Sequence, residues 1–132
     1  MSHEVEFRVY YEDTDAGGVV YHSNYLNFAE RARTEFLRKL GVNQSEAKEK
    51  DGILFVVKSL NIEYKKPALL DDVLTIKTQI TETSKVRMEM EQDIFRDDVL
   101  IAKVVVNIVC VNEAMKPTKI PEYVLGDAPR KF

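Results

Sequence analysis

The sequence has one cysteine, no tryptophan and no long hydrophobic run. Cys110 is the single cysteine among 132 residues, so an intramolecular disulfide is excluded, and this composition fits a reducing compartment. The longest apolar runs, such as residues 104–106, are far shorter than the ~20 residues of a membrane-spanning helix. At the N-terminus, no basic stretch precedes an apolar run. We therefore expect no signal peptide, no stable membrane insertion and a cytoplasmic location.

An excess of positive charge is also absent. The net charge is -3, whereas a protein that coats nucleic acid needs a basic surface, so we expect no nucleic-acid partner. Histidine and cysteine do not occur at the spacing of metal ligands, and the glycine motifs that bind nucleotides are missing, so we expect no metal and no cofactor. With 45% hydrophobic and 31% charged residues, the chain has the composition of one globular domain over residues 1–132.

The hydrophobic pattern predicts one long helix and an antiparallel sheet. Apolar residues recur at helical spacing over 24–40, Ser23 and Asn24 are residue types that cap helices, and Gly41 is placed to end the helix. Strands are predicted over 6–11, 53–64, 73–83, 86–95 and 99–111. A short polar helix is predicted within 42–52, a frayed start over 1–4 and a loose tail over 113–132 that packs over an edge of the sheet. A helix with a broad apolar face is best covered by a sheet that wraps around it, which predicts an α+β fold.

The stretch from 9 to 41 concentrates residues that can do chemistry. An acidic turn contains Asp13 and Asp15, which two-residue spacing predicts to point the same way. Both carboxylates could cap turns or the helix. Alternatively, one could serve as nucleophile or general base toward a carbonyl polarised by amides of the first helical turn. His22, just before the helix, is open to a structural or a site role. Cys110, inside an apolar strand, is predicted to be a buried small hydrophobe.

A single compact basic pair, Lys65 and Lys66, precedes Pro67. A solvated surface is the default interpretation for such residues. The alternative is contact with a phosphate group of a ligand.

Three motifs carry a family resemblance: R-V-Y-Y-E-D-T-D over 8–15, G-V-V-Y-H over 18–22, and E-R-A-R over 30–33. Together they closely resemble the 4-hydroxybenzoyl-CoA thioesterase family, and within it the Tol-Pal system-associated acyl-CoA thioesterases of bacteria. The similarity continues to Cys110 and so covers nearly the whole chain. The resemblance implies a hot-dog fold, in which an antiparallel sheet wraps around one long central helix. It also implies a homodimer or homotetramer.

The resemblance further implies hydrolysis of an acyl-CoA thioester to a free acid and CoA. Asp15 would be catalytic, either by direct attack or by activating water, and the backbone N–H of His22 would polarise the thioester carbonyl. The His22 side chain would assist the reaction or orient the substrate. Further residues expected to contact or shape the substrate site are Tyr11, Gly17, Gly18, Val19, Tyr25, Lys65 and Lys66.

Substrate choice is narrowed by one departure from the family. The enzyme that gives the family its name has a different residue where His22 stands, so its aromatic specificity is not carried over. A short-chain acyl-CoA is the leading expectation, with acyl carrier protein as an alternative partner. Two other functions stay open: an enoyl-CoA hydratase on the same fold, and a non-catalytic or weakly catalytic module that binds acyl carrier protein or a cell-envelope protein.

Overall fold

A computed structural model describes residues 2–126 of the chain. It contains one five-stranded sheet and a long helix packed on one face of it. The elements are β1 (Ser2–Arg8), α1 (Asn24–Lys39), α2 (Gln44–Asp51), β2 (Leu54–Tyr64), β3 (Val73–Thr83), β4 (Arg87–Arg96), β5 (Val99–Val111) and α3 (Glu122–Leu125). The strand order is β1-β3-β4-β5-β2, and every neighbouring pair is antiparallel. The predicted α+β architecture is thus present, with the predicted strands within two residues of their observed bounds except for β1.

The first strand lies earlier in the chain than predicted. Its pairing with β3 begins at Ser2 and ends at Arg8, so the prediction of a frayed start is wrong for residues 2–4. The predicted strand over 6–11 is also too long, because Tyr11–Asp13 forms a 3₁₀ turn. Polar residues dominate the start of β1, and the partner strand that holds it lies some 70 residues away. Local sequence therefore carries little signal for this strand.

The segment after β5 is packed rather than loose. Ile120, Val124 and Leu125 are buried in the core, and the N–H of Ile120 donates to the Lys85 carbonyl at 2.8 Å. The prediction of a loose tail is therefore wrong for residues 113–126. The remainder of that predicted tail, 127–132, lies outside the described residues.

The end of α1 follows the prediction made from Gly41. This glycine has φ +95°, its N–H donates to Arg38 O at 3.0 Å, and the N–H of Val42 donates to Leu37 O at 2.8 Å. These two bonds form a Schellman motif, which satisfies carbonyls that the last helical turn leaves free. Val42 and Leu37 also share one hydrophobic cluster, so the chain turns back against the helix it has just left.

The core is divided into two hydrophobic clusters by a line of polar side chains. Tyr25, Phe28 and Ala32 of α1 belong to one cluster, and Phe36 and Leu37 belong to the other.

Between the two clusters, the buried Arg33 donates from Nη1 to Gln92 Oε1 at 2.9 Å. Gln92 Nε2 in turn donates to Ala29 O at 2.8 Å and to Thr78 Oγ1 at 3.1 Å. We call Arg33, Gln92 and Thr78 the polar seam. Gln92 and Thr78 are fully buried and Arg33 is 8% exposed, and this burial lowers the pKa of the Arg33 guanidinium.

The seam yields a stability prediction. Gln92→Leu should lower the free energy of unfolding by about 1–3 kcal/mol, because it leaves the buried Arg33 without its acceptor. Arg33→Met combined with Gln92→Leu should recover most of that loss, because removal of both partners leaves no unpaired buried charge. Urea unfolding at matched protein concentration measures both. Gln79→Leu, at an exposed position of β3, is the control, and equal effects of the two single glutamine variants would contradict the prediction.

Candidate active site

A tight hairpin over residues 14–20 carries the exposed acidic residue of the candidate site. Thr14 and Val20 form an antiparallel bridge, the N–H of Asp15 donates to Val19 O at 2.9 Å, and the N–H of Gly18 donates to Asp15 O at 3.0 Å. Gly18 has φ +77°, a conformation that glycine adopts without steric cost. A Cβ at Gly17 would lie 3.1 Å from Asp15 Oδ1, so glycine at this position leaves the carboxylate its space.

Asp13 is a structural carboxylate. It is 5% exposed, and each of its oxygens accepts a hydrogen bond at 2.8 Å, Oδ2 from the Tyr10 N–H and Oδ1 from Asn24 Nδ2. Its backbone carbonyl also accepts the N–H of Tyr21 at 2.9 Å. Asp13 thereby holds the hairpin against the segment that enters α1. For this carboxylate, the interpretation as a cap of local structure fits best.

Asp15 has a different environment. It is exposed, and its Oδ1 accepts the N–H of Gly17 at 2.8 Å. Among the described residues no donor is paired with Oδ2. The prediction that Asp13 and Asp15 point the same way is therefore wrong, because Asp13 ends a 3₁₀ turn and strict alternation holds only in extended chain. Both carboxylate oxygens of Asp13 accept hydrogen bonds that stabilise the fold. Oδ2 of Asp15 has no donor among the described residues and is available to react.

The start of α1 lacks the side-chain cap that the sequence predicts. Ser23 occupies the N-cap position, but its side chain makes no capping bond, and the Asn24 side chain reaches Asp13 instead. The first turn is held by the N–H of Asn24, which donates to Tyr21 O at 2.8 Å. Within residues 2–126 no acceptor is paired with the backbone N–H of His22. This N–H is a free donor at a helix N-terminus, where the helix dipole favours negative charge.

Two cavities flank this region. One, of about 530 Å³, is lined by Asp15 and includes Tyr11, Gly18 and Leu70 in its wall. The other, of about 300 Å³, is lined by seven residues: Val20, His22, Tyr25, Tyr64, Lys65, Lys66 and Pro67. The expected site residues therefore fall into two groups around one short segment, with Asp15 on one side and His22 on the other.

Two of the expected residues line neither cavity. Gly17 contributes its N–H to Asp15, and the half-buried Val19 pairs with Leu69 through a β-bridge. Both therefore shape the hairpin rather than a cavity wall.

The two lysines of the basic pair differ in their contacts. Lys65 Nζ lies 2.8 Å from Glu63 Oε2, and this bond lowers the pKa of the Glu63 carboxyl. No side-chain partner is paired with Lys66 in the described part of the chain. The ammonium group of Lys66 is therefore the one available to a ligand without breaking an existing ion pair.

Tyr25 braces the His22 cavity from inside. It is 3% exposed, and its hydroxyl accepts the N–H of Ala68 at 3.0 Å. Burial, as the main cause, raises the pKa of the Tyr25 phenol, so the hydroxyl is neutral at neutral pH. The carbonyl of Ala68 accepts the N–H of Val20 at 2.9 Å, which ties the hairpin to the same point.

Several cavity-lining residues, Tyr64 and Arg33 among them, are not among the site residues predicted from the sequence. Arg33 lines a third cavity, of about 140 Å³, between α1 and β2. A signal for its burial exists in the sequence, because Arg33 lies four residues after Ala29 and three before Phe36 on the apolar stripe. Gln92 has the same signal, since it stands between Met90 and Ile94 on the inward side of β4.

No helix over residues 2–126 is long and apolar enough to cross a membrane, and no cluster of three potential metal ligands occurs among those residues.

Comparison with known proteins identifies similar chains. The family model described as the thioesterase-like superfamily matches residues 9–127. The acyl-CoA thioesterase YbgC of Haemophilus influenzae is 47% identical over 89% of this chain and 87% of its own length. The acyl-CoA thioester hydrolase YbgC of Escherichia coli is 43% identical, over 91% and 90%. The crystal structure of a probable thioesterase from Bartonella henselae is 41% identical and covers 92% of this chain and 100% of its own, with a TM-score of 0.87.

These matches confirm the resemblance read from the motifs and the hot-dog fold expected from it. They leave the individual site residues as predictions.

The contrast between the two carboxylates is testable. Asp13→Ala should lower the free energy of unfolding by about 1–3 kcal/mol, because it leaves the partly buried backbone N–H of Tyr10 and the Asn24 amide without acceptors. Asp15→Ala should cost less than about 1 kcal/mol, because the carboxylate is exposed and bonds only within its own turn. Chemical denaturation of both variants measures the difference. A larger loss for Asp15→Ala would contradict the structural assignment of Asp13.

Proposed function

The chain belongs to the thioesterase-like superfamily and is an acyl-CoA thioesterase, and we propose that it hydrolyses short-chain acyl-CoA with Asp15 and the start of α1. The observation that carries this proposal is that Asp15 Oδ2, on the hairpin, and the backbone N–H of His22, just before α1, both lack a hydrogen-bond partner among the described residues. Asp13 holds the two parts together through its bonds to Tyr10, Tyr21 and Asn24.

The two groups have complementary tasks in thioester hydrolysis. As the carbonyl carbon is attacked, negative charge develops on its oxygen, and a preoriented N–H stabilises that charge. The His22 N–H is suited to this because it lies at the positive end of the α1 dipole. The exposed side chain of Asp15 can attack carbon or accept a proton through Oδ2, which has no partner among the described residues.

Two routes are compatible with this geometry. In the first, Asp15 removes a proton from water as the water oxygen attacks the carbonyl, the C–S bond breaks, and the thiolate of CoA leaves and takes up a proton. In the second, the carboxylate attacks directly, CoA leaves, and water hydrolyses the resulting anhydride. The proposal covers both, because each needs the free oxygen of Asp15. The His22 side chain, exposed beside the ring of Tyr21 at 4.4 Å between centroids, assists or orients the substrate.

We propose that the phosphates of CoA bind to the basic pair, Lys65 and Lys66. Lys65 and Lys66 lie at the rim of the cavity that also contains His22, so a phosphate on Lys66 would place the remainder of CoA next to the helix start. Tyr11 and Gly18, in the wall of the Asp15 cavity, would face the other side of the substrate. We propose acyl carrier protein as an alternative carrier of the acyl group.

The assembly and location of the protein complete the proposal. We propose one domain over residues 1–132, a cytoplasmic location, and a homodimer or homotetramer. The oligomer is supported by the two edge strands of the sheet, β1 and β2, each of which has a single strand partner among residues 2–126. Unpaired strand edges favour pairing with another chain.

Loss of the Asp15 carboxylate tests the catalytic assignment. Asp15→Asn keeps the size of the side chain and should lower kcat at least ~100-fold, because an amide can neither attack nor accept the proton. Release of CoA, followed with a thiol reagent, measures the rate. Asp98→Asn, at an exposed turn between β4 and β5, is the matched control and should keep wild-type turnover. Full activity of a folded Asp15→Asn protein would reject the assignment.

Removal of the basic pair tests the orientation of CoA. Lys65→Ala combined with Lys66→Ala should raise KM for an acyl-CoA several-fold with kcat unchanged, because a contact made equally in ground and transition states is lost. The same acyl group on pantetheine, which lacks the phosphates, should show no change in KM. The effect on acyl-CoA should shrink at high salt, because salt screens exposed charges. An equal effect on both substrates would contradict a phosphate contact.

A further inference from the structure

Tyr64 connects the sheet to the start of α1. It is the last residue of β2, and its ring lines the cavity that contains His22. Its hydroxyl donates a hydrogen bond of 2.9 Å to the backbone carbonyl of His22, across 42 positions of sequence. The residue is 48% exposed, so this contact is not a requirement of core packing. The bond therefore reaches the residue whose backbone N–H is proposed to polarise the thioester carbonyl.

The direction of the His22 N–H depends on the peptide group that joins Tyr21 to His22. In a trans peptide the C=O and the N–H point in opposite directions within one plane. The carbonyl of Tyr21 accepts the N–H of Asn24 at 2.8 Å, which fixes that plane from one side. The same bond polarises the peptide group and makes the His22 N–H a better donor.

The following peptide group is fixed by Tyr64. Because the hydroxyl holds the carbonyl of His22, the planes on both sides of the His22 Cα are each anchored by a hydrogen bond. The His22 N–H cannot rotate away without straining one of these two bonds. Ser23 makes no side-chain bond that would replace them, so the missing cap leaves Tyr64 as a principal support.

The hydroxyl of Tyr64 is itself held in place. Its ring packs edge-on against the buried Tyr25, with 5.4 Å between centroids and an interplanar angle of 72°. Directly after it, the backbone N–H groups of Lys65 and Lys66 both donate to Ile101 O, at 2.8 and 3.1 Å. The position of the donor is therefore set by β5, which is separate from the loop that it supports, and by the ring of Tyr25 in the first turn of α1.

We propose that Tyr64 is a positioning residue that aims the His22 N–H at the thioester carbonyl. This rests on the proposed function, because it assigns Tyr64 to the support of the proposed oxyanion-binding amide. Tyr64 acts through His22 and does not contact the reacting atoms. Its contribution appears in the transition state, where the carbonyl oxygen carries most charge.

Tyr64→Phe tests the proposal. It removes the hydroxyl and keeps the ring, so kcat should fall about 3- to 10-fold, as expected for one lost hydrogen bond. KM should stay within twofold, since the cavity wall is retained. Tyr123→Phe, at an exposed tyrosine of α3, is the matched control and should match wild type. A variant that carries 3-fluorotyrosine at position 64 keeps the donor and should restore kcat.

A spectroscopic measurement separates positioning from general stability. An acyl-CoA analogue with a methylene between sulfur and carbonyl cannot be hydrolysed, and the stretching frequency of its carbonyl reports the hydrogen bond it accepts. Binding to wild type should lower that frequency, and binding to Tyr64→Phe should lower it less at similar affinity. Wild-type kcat together with a wild-type frequency in Tyr64→Phe would overturn the proposal. So would a Tyr64→Phe loss that 3-fluorotyrosine fails to restore.

Failure of the proposed function has a different signature. If wild type releases no CoA from any thioester but binds the analogue with a lowered carbonyl frequency, hydrolysis is refuted and the frequency shift in Tyr64→Phe still judges the role of Tyr64. If wild type hydrolyses thioesters and Tyr64→Phe is indistinguishable from it, only the positioning role is refuted. If wild type neither hydrolyses thioesters nor lowers the frequency of the analogue, both are refuted.

Discussion

The candidate site depends on the buried carboxylate of Asp13. The two side-chain oxygens and the backbone carbonyl of Asp13 accept hydrogen bonds from three segments: the stretch after β1 at Tyr10, the entry to the helix at Tyr21, and the first residue of α1, Asn24. A buried carboxylate is costly unless its oxygens accept hydrogen bonds, and here each of them does. This arrangement ties the hairpin that carries Asp15, two residues further on, to the segment that enters α1. The aspartate that stabilises the fold, Asp13, and the aspartate proposed for catalysis, Asp15, are thus different residues.

Support for the site comes from opposite directions. Asp13 fixes the hairpin from the β1 side, whereas Tyr64 and Tyr25 fix the helix start from the end of β2 and from the loop that contains Ala68. Tyr10, just after β1, and Tyr64, at the end of β2, therefore both bond to the region around the start of α1, although the two strands lie at opposite edges of the sheet. For the proposed mechanism, hydrogen bonds that hold the amide and the carboxylate in place would reduce the rearrangement needed when charge develops.

The sequence predicts much of the fold because most of its elements are strongly periodic. β3 and β5 are predicted with their observed bounds, since both show sustained alternation or an apolar run. The failures lie where pairing is distant or polar. β1 starts at a polar segment, and the strand that it pairs with, β3, is distant in sequence. In the segment after β5, the buried Ile120 and Val124 are surrounded in sequence by prolines and charged residues, so no periodic pattern indicates their burial. The burial of Arg33 and Gln92 was not predicted, because a polar residue on an apolar face is usually treated as an exception to the pattern. With Thr78 they form the polar seam between the two clusters.

For the site, the motifs bring the right residues to attention but cannot separate them by role. Two aspartates two apart look equivalent in sequence, and only the 3₁₀ turn distinguishes the buried Asp13 from the exposed Asp15. The same holds for Lys65 and Lys66, which differ by an ion pair to Glu63. Tyr64 could not be assigned at all, because its bond to His22 spans 42 positions.

The most direct test of the account is release of free CoA by the wild-type protein across a series from acetyl-CoA to palmitoyl-CoA, with benzoyl-CoA included. The account predicts turnover that is greatest for a short acyl chain and weak for the aromatic and long-chain substrates. Release of no CoA from any substrate by well-folded protein would contradict it.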